Sequence, residues 1–79
     1  MRASVVMPEV GSQPARLSVW FADPGELVYE GDRLVEVVVN GATFDVSAPA
    51  TGRLVEKCVS PGQPLTTGQL LGTIDVAES

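Results

Sequence analysis

Lys57 and Cys58 stand side by side, each the only residue of its kind, in a chain without histidine. A serine or cysteine nucleophile needs a base beside it, and the usual base is missing. A lone cysteine closes no internal disulfide, and without histidine the soft metal-ligand clusters are absent as well. Glu30 and Asp32 could in principle divide acid and base work between them. They flank Gly31, however, and carboxylates around a glycine turn are read more simply as solvated. Lys57 could carry an acyl group or a cofactor only if it were presented at an exposed turn. It falls inside the alternating run Gly52 to Val59, so it is read as a strand residue with its ammonium in water. Cys58, in the same run, is expected to be a small buried or half-buried apolar residue. No catalytic residue and no metal ligand is assigned.

The elements that would hold these residues are clearest from Leu34 to Ser47. The runs Leu34-Val35-Glu36-Val37-Val38-Val39 and Ala42-Thr43-Phe44-Asp45-Val46 are rich in β-branched residues, and only Asn40-Gly41 separates them. A two-residue connection favours a type I′ turn, which needs φ > 0 at both central positions, and Asn and Gly tolerate it. A hairpin with its tip at Asn40 and Gly41 is therefore expected.

Composition sets outer limits. Seventy-nine residues with 44% apolar and 19% charged side chains are expected to make one soluble domain, 1–79, with the tail from Val76 to Ser79 frayed. Ten acidic against five basic residues leave a net charge of −5, and the basic residues are scattered singly. Nucleic acid is excluded as a partner on that ground, since its affinity comes from clustered Lys and Arg on phosphates. The N-terminus meets Pro8 and Glu9 too soon for a signal peptide, and no stretch is long enough to span a membrane, so a cytoplasmic protein is expected.

Taken in order, Val5 to Met7 is an edge strand stopped by Pro8, and Pro8 to Pro14 is loop. Ala15 to Phe21 is a strand with Leu17 and Val19 inward, its end covered on both faces, and Trp20 packing in the core or at its rim. Asp23-Pro24-Gly25-Glu26 turns, Val28 bridges, and Glu30-Gly31-Asp32 turns again. Beyond the hairpin, Pro49 makes a corner and Gly52 to Val59 is a strand. Ser60-Pro61-Gly62-Gln63 turns, Leu65 bridges, Gly68 turns, and Gln69 to Ile74 is the last strand.

This order occurs twice. A shift of 37 residues lays Arg16-Leu17 on Arg53-Leu54, Pro24-Gly25 on Pro61-Gly62, Val28 on Leu65, Gly31 on Gly68, Leu34 on Leu71 and Val37 on Ile74, without a gap. Each copy is a unit that cannot bury its apolar face alone. Two copies about a pseudo-twofold can share one core of Leu17, Val19, Leu34, Val37, Leu54, Leu71 and Ile74. With short strands throughout and no helical periodicity, the fold expected is all-β: a flattened barrel or sandwich of two small antiparallel sheets.

Glu36 to Gly52 resembles the segment of lipoyl domains that carries an Asp-Lys-Ala turn, then an acidic residue, then Ala-Pro and Gly. In that match Asn40 stands for the Asp, Ala42 for the Ala and Asp45 for the acidic residue, with Ala48-Pro49 and Gly52 unchanged. Gly41 stands where the family has its lysine. Gly25-Glu26-Leu27-Val28-Tyr29-Glu30-Gly31-Asp32 echoes the family's Gly-Asp-x-Val-x-x-Gly-Asp pattern, and Met7-Pro8 and Trp20-Phe21 also have counterparts. The resemblance covers nearly the whole chain. It implies two small sheets related by a twofold and, in ordinary members, a lysine acylated by lipoate whose arm ferries intermediates between active sites. The biotinyl branch sets methionines beside its lysine, whereas Asn40 and Ala42 flank Gly41, so the lipoyl branch is nearer. The two-residue turn has no room for the helical hairpin that efflux adaptor proteins insert there.

Glycine has no side chain to acylate. The expectation is a non-carrier domain of lipoyl type, without cofactor at Asn40, Gly41 and Ala42, acting as a small binding or structural module with a protein partner. It would be tied to a 2-oxoacid dehydrogenase-type complex. Two alternatives stand beside it: a carrier domain of an acyltransferase whose lysine was lost or replaced, and a stand-alone interaction module.

Overall fold

The computed structural model describes residues 1–11 and 13–77. It contains eight strands: β1 Arg2–Val6, β2 Ala15–Trp20, β3 Leu27–Val28, β4 Arg33–Val39, β5 Ala42–Ser47, β6 Gly52–Lys57, β7 Pro64–Leu65 and β8 Leu70–Val76. Among the described residues there is no helix. Two four-stranded antiparallel sheets, in the orders β1-β8-β6-β3 and β5-β4-β2-β7, enclose one core. The all-β expectation and the pseudo-twofold both hold.

The repeat extends to single hydrogen bonds. Gly25 N–H donates to the Leu54 carbonyl at 2.8 Å, and its counterpart Gly62 N–H donates to Leu17 at 2.7 Å. Gly31 N–H reaches the Ala48 carbonyl at 3.0 Å, as Gly68 reaches Met7 at 2.8 Å. Each copy thus closes its first turn on the other copy's strand and its second on the residue just past β5 or β1, which is why neither half is expected to fold alone.

The bulges repeat as well. Between β2 and β4 the register skips Ser18, and between β6 and β8 it skips Val55, its counterpart. The β4–β5 and β8–β1 ladders skip Leu34 and Leu71. An extra residue in one strand reverses the in-out alternation beyond it. Leu34 and Val35 are consequently both buried, and so are Leu71 and Gly72.

The same reversal corrects several expectations. Val19, placed inward by simple alternation, is exposed, while Leu17 before the bulge is buried. Phe21 is also exposed and Trp20 half-buried, so the end of β2 is not covered on both faces. β6 stops at Lys57, and Cys58 is exposed rather than buried. The first strand runs Arg2–Val6, with Met7 buried beyond its end. The other six residues named for the core are 0 or 1% exposed. At the C-terminus, Val76 pairs with Gly52 and Ala77 N–H donates to the Thr51 carbonyl at 2.9 Å, so these two are held. The remainder of the expected frayed tail, residues 78 and 79, lies outside the described residues.

Trp20 marks the middle of the molecule. Its Nε1 donates to the Val59 carbonyl at 3.0 Å, and its ring covers Gly72 so closely that a Cβ there would come 2.9 Å from it. The starts of β4 and β8 therefore meet at the centre, and their far ends point apart. The hairpin tip lies at one end of a body 40 × 19 × 18 Å, and residues 1 and 76 at the other, joined by a 2.8 Å bond from Val76 N–H to the Met1 carbonyl.

Candidate functional site

The hairpin closes as its sequence requires. Val39 pairs with Ala42, and Asn40 and Gly41 have φ of 49° and 81°. Asn40, Gly41 and Ala42 are all exposed. A Cβ built on Gly41 meets nothing within 4 Å, so space at the tip is free and only the backbone resists a side chain. The tip offers a backbone and an Asn amide, and no amine, thiol or carboxylate.

Asp45 sits further down the hairpin, opposite Glu36. Its Oδ2 lies 3.7 Å from an Arg33 guanidinium nitrogen, and the Arg33 guanidinium lies 4.3 Å above the Phe21 ring. Glu36 accepts a 3.2 Å bond from Ser18 Oγ, the residue that the β2 bulge sets aside. The acidic residues behind the tip are held along the sheet and do not converge on it.

A groove of about 300 Å³ opens next to the tip, and sequence reasoning missed it. Met7, Val10, Pro14, Ala15, Leu65 and Thr66 line part of it, and Ala15 pairs with Val39 just below the turn. The connection from β1 to β2 spans residues 7–14, against 48–51 for the equivalent connection from β5 to β6, so it is four residues longer. The signal was present as a loop with no counterpart in the repeat.

Lys57 is far from the tip. It pairs with Gly72 across β8, and its Nζ forms a 2.8 Å ion pair with Asp23 Oδ1, with the side chain 31% exposed. Its ammonium thus stays at the exposed surface, as expected, but is partnered by Asp23. In the repeat it takes the place of Trp20, and both side chains cross to the opposite half. Cys58 donates its backbone N–H to the Leu71 carbonyl at 2.7 Å. Although the residue is exposed, slight desolvation of its sulfur, and then the nearby Glu56 carboxylate, raise the thiol pKa above its ordinary value and away from nucleophilic use. Glu30 and Asp32 are exposed turn residues; the Asp32 carboxylate accepts the Tyr29 N–H at 3.0 Å. Among the described residues no group of three or more His, Cys, Asp or Glu could hold a metal ion.

Known proteins resemble this chain in sequence and in fold. The model of the biotin/lipoyl family, described as "Biotin-requiring enzyme", matches residues 3–74. The dihydrolipoyllysine-residue acetyltransferase component of the pyruvate dehydrogenase complex of Bacillus subtilis is 31% identical over 71 residues, covering 87% of this chain and 16% of that protein. The lipoamide acyltransferase component of the branched-chain alpha-keto acid dehydrogenase complex of Pseudomonas putida is 26% identical over 77 residues, covering 95% and 18%. The chain spans less than a fifth of the length of either relative. Among solved structures, the lipoyl domain of the 2-oxoglutarate dehydrogenase complex of Azotobacter vinelandii superposes with a TM-score of 0.73 at 21% identity, over 98% of both chains. Part of a single-chain, multi-domain long-chain acyl-CoA carboxylase gives 0.80 at 20% identity, covering 99% of this chain and 7% of that one.

Proposed function

Because the chain belongs to the biotin/lipoyl family, we propose that it is a non-carrier member, a binding or structural module for a protein partner within a 2-oxoacid dehydrogenase-type assembly. The family attaches lipoate or biotin through a lysine amine. The observation that carries the reading is Gly41, exposed at the centre of the tip, where no amine is available for either group. The residues present at the tip do not fit a covalent cofactor. The only lysine is on β6 and engaged with Asp23, in the position that the other half fills with Trp20. A role within a multi-enzyme assembly is inferred from the relatives, which are components of such complexes by name.

The test is intact mass after co-expression with lipoate ligase and biotin ligase, each cofactor being supplied. The expected result is the unmodified mass. A lipoyl or biotinyl increment mapped to Lys57 would overturn the proposal.

The carrier alternative keeps one observation in its favour. The tip retains the open space that a lysine would need. Under that reading the lysine at position 41 was lost, and restoring it should restore attachment at least in part.

A further inference from the structure

We propose that the outer edge of β3, from Glu26 to Asp32, is the docking surface, and that its occupant is a basic segment of a protein partner bearing aliphatic or aromatic side chains. This rests on reading the domain as a binding module, and it names the face and the partner's chemistry.

β3 is the last strand of its sheet, and among the described residues no strand is hydrogen-bonded on its outer side. Val28 points into the core, so its neighbours point out: Leu27 is 45% exposed and Tyr29 57% exposed. Glu26, Glu30 and Asp32 flank this apolar pair along the chain, and all three are exposed. The cations nearby are committed. Lys57 pairs with Asp23, and Arg53 Nη1 donates to the Gly25 carbonyl at 2.9 Å. Among the described residues the ion pairs are Lys57–Asp23 and Arg33–Asp45, so these three carboxylates have no cationic partner.

The second half of the repeat is a control built into the molecule. Its equivalent edge has Gln63, Pro64, Thr66, Thr67 and Gln69 where the first has Glu26, Leu27, Tyr29, Glu30 and Asp32. The turns are otherwise the same. Asp23 N–H donates to Glu26 Oε1 at 3.0 Å, and Ser60 N–H to Gln63 Oε1 at 3.2 Å. Tyr29 N–H donates to Asp32 Oδ2 at 3.0 Å, and Thr66 N–H to Gln69 Oε1 at 2.9 Å. A neutral amide therefore makes the same turn hydrogen bond that a carboxylate makes. Neither the charges nor the exposed Leu and Tyr are needed to build this edge. Carboxylates alone would mark no partner, but an exposed apolar pair flanked by carboxylates without cationic partners fits one chemistry. It fits a surface that brings Lys or Arg to the rim and an apolar anchor to the centre.

The probe is an end-blocked peptide alternating lysine with leucine and tyrosine, titrated into the unmodified protein at low salt and followed by backbone amide shifts. The expected shifts fall on residues 26–32 and 51–54, the paired strand segment, and not on 60–69. Glu26→Gln with Glu30→Thr and Asp32→Gln should weaken binding about tenfold or more. That variant carries the residues with which the other half builds the same turns. Leu27→Ser with Tyr29→Ser should weaken it as well, at unchanged net charge. Equal shifts on residues 60–69, or a serine variant that binds like wild type, would overturn the proposal, since either outcome means charge attraction without a docking face. A lysine adduct in the mass experiment would instead defeat the non-carrier reading and leave this titration unaffected.

Discussion

At Gly41 the obstacle to a side chain is the backbone and not its surroundings. The φ of 81° is one that L residues rarely adopt, while a Cβ there would meet nothing within 4 Å. Gly41→Lys should therefore lower stability by about 1 kcal/mol, the usual scale for a non-glycine residue in the left-handed region, and leave the fold intact. Gly41→Lys should be partially lipoylated in the mass assay above, and more so with Asn40→Asp added, which brings the turn to the Asp-Lys-Ala of the family. If the double variant folds by circular dichroism yet stays unmodified with lipoate ligase in excess, the tip is no carrier site in shape or in residue. The turn was fully legible in the sequence because Asn-Gly satisfies a local dihedral demand. Cys58 and Val19 were not, because their placement depends on bulges three residues and one residue before them that no residue type announces.

Those bulges are the main limit on reading the elements. Alternation is a reliable guide only while the register advances one residue at a time, and here each of four ladders skips once. The turns suffered no such error, since Pro24-Gly25 and Pro61-Gly62 fix their geometry from within. The core positions survive wherever the repeat, and not alternation alone, supports them. Leu54 and Leu71 are 1% and 0% exposed. Leu54→Ala or Leu71→Ala should each cost about 2 to 5 kcal/mol, much of the total for a domain of this size. Chemical denaturation reads the loss directly. Midpoints indistinguishable from wild type in both variants would mean that the shared core is not where the packing energy resides. The groove beside the tip was missed at this scale too, because it follows from a difference in length between two connections and not from any motif.

For the molecule as a whole, the offset of 37 residues already implied a twofold and two sheets, and the paired hydrogen bonds across the halves bear that out. The place of β1 was harder to see. It takes in one sheet the place that β5 takes in the other, but at a different offset, so the gapless repeat does not include it. The result is that the tip at one end of the body corresponds to the meeting of Met1 and Val76 at the other. That arrangement makes the domain mechanically anisotropic. A pull applied through residues 1 and 77 opens the β1–β8 ladder from its free end, one hydrogen bond at a time, beginning with Val76 to Met1. A pull through residues 1 and 41 acts along the 40 Å axis and loads the ladders in shear, many bonds together. Single-molecule force measurements with handles at the two pairs of positions should find the first direction weak and the second strong. Equal rupture forces would show that the ends of β1 and β8 do not yield first. Load carried from tip to terminus is withstood, whereas load between the two termini unzips the fold.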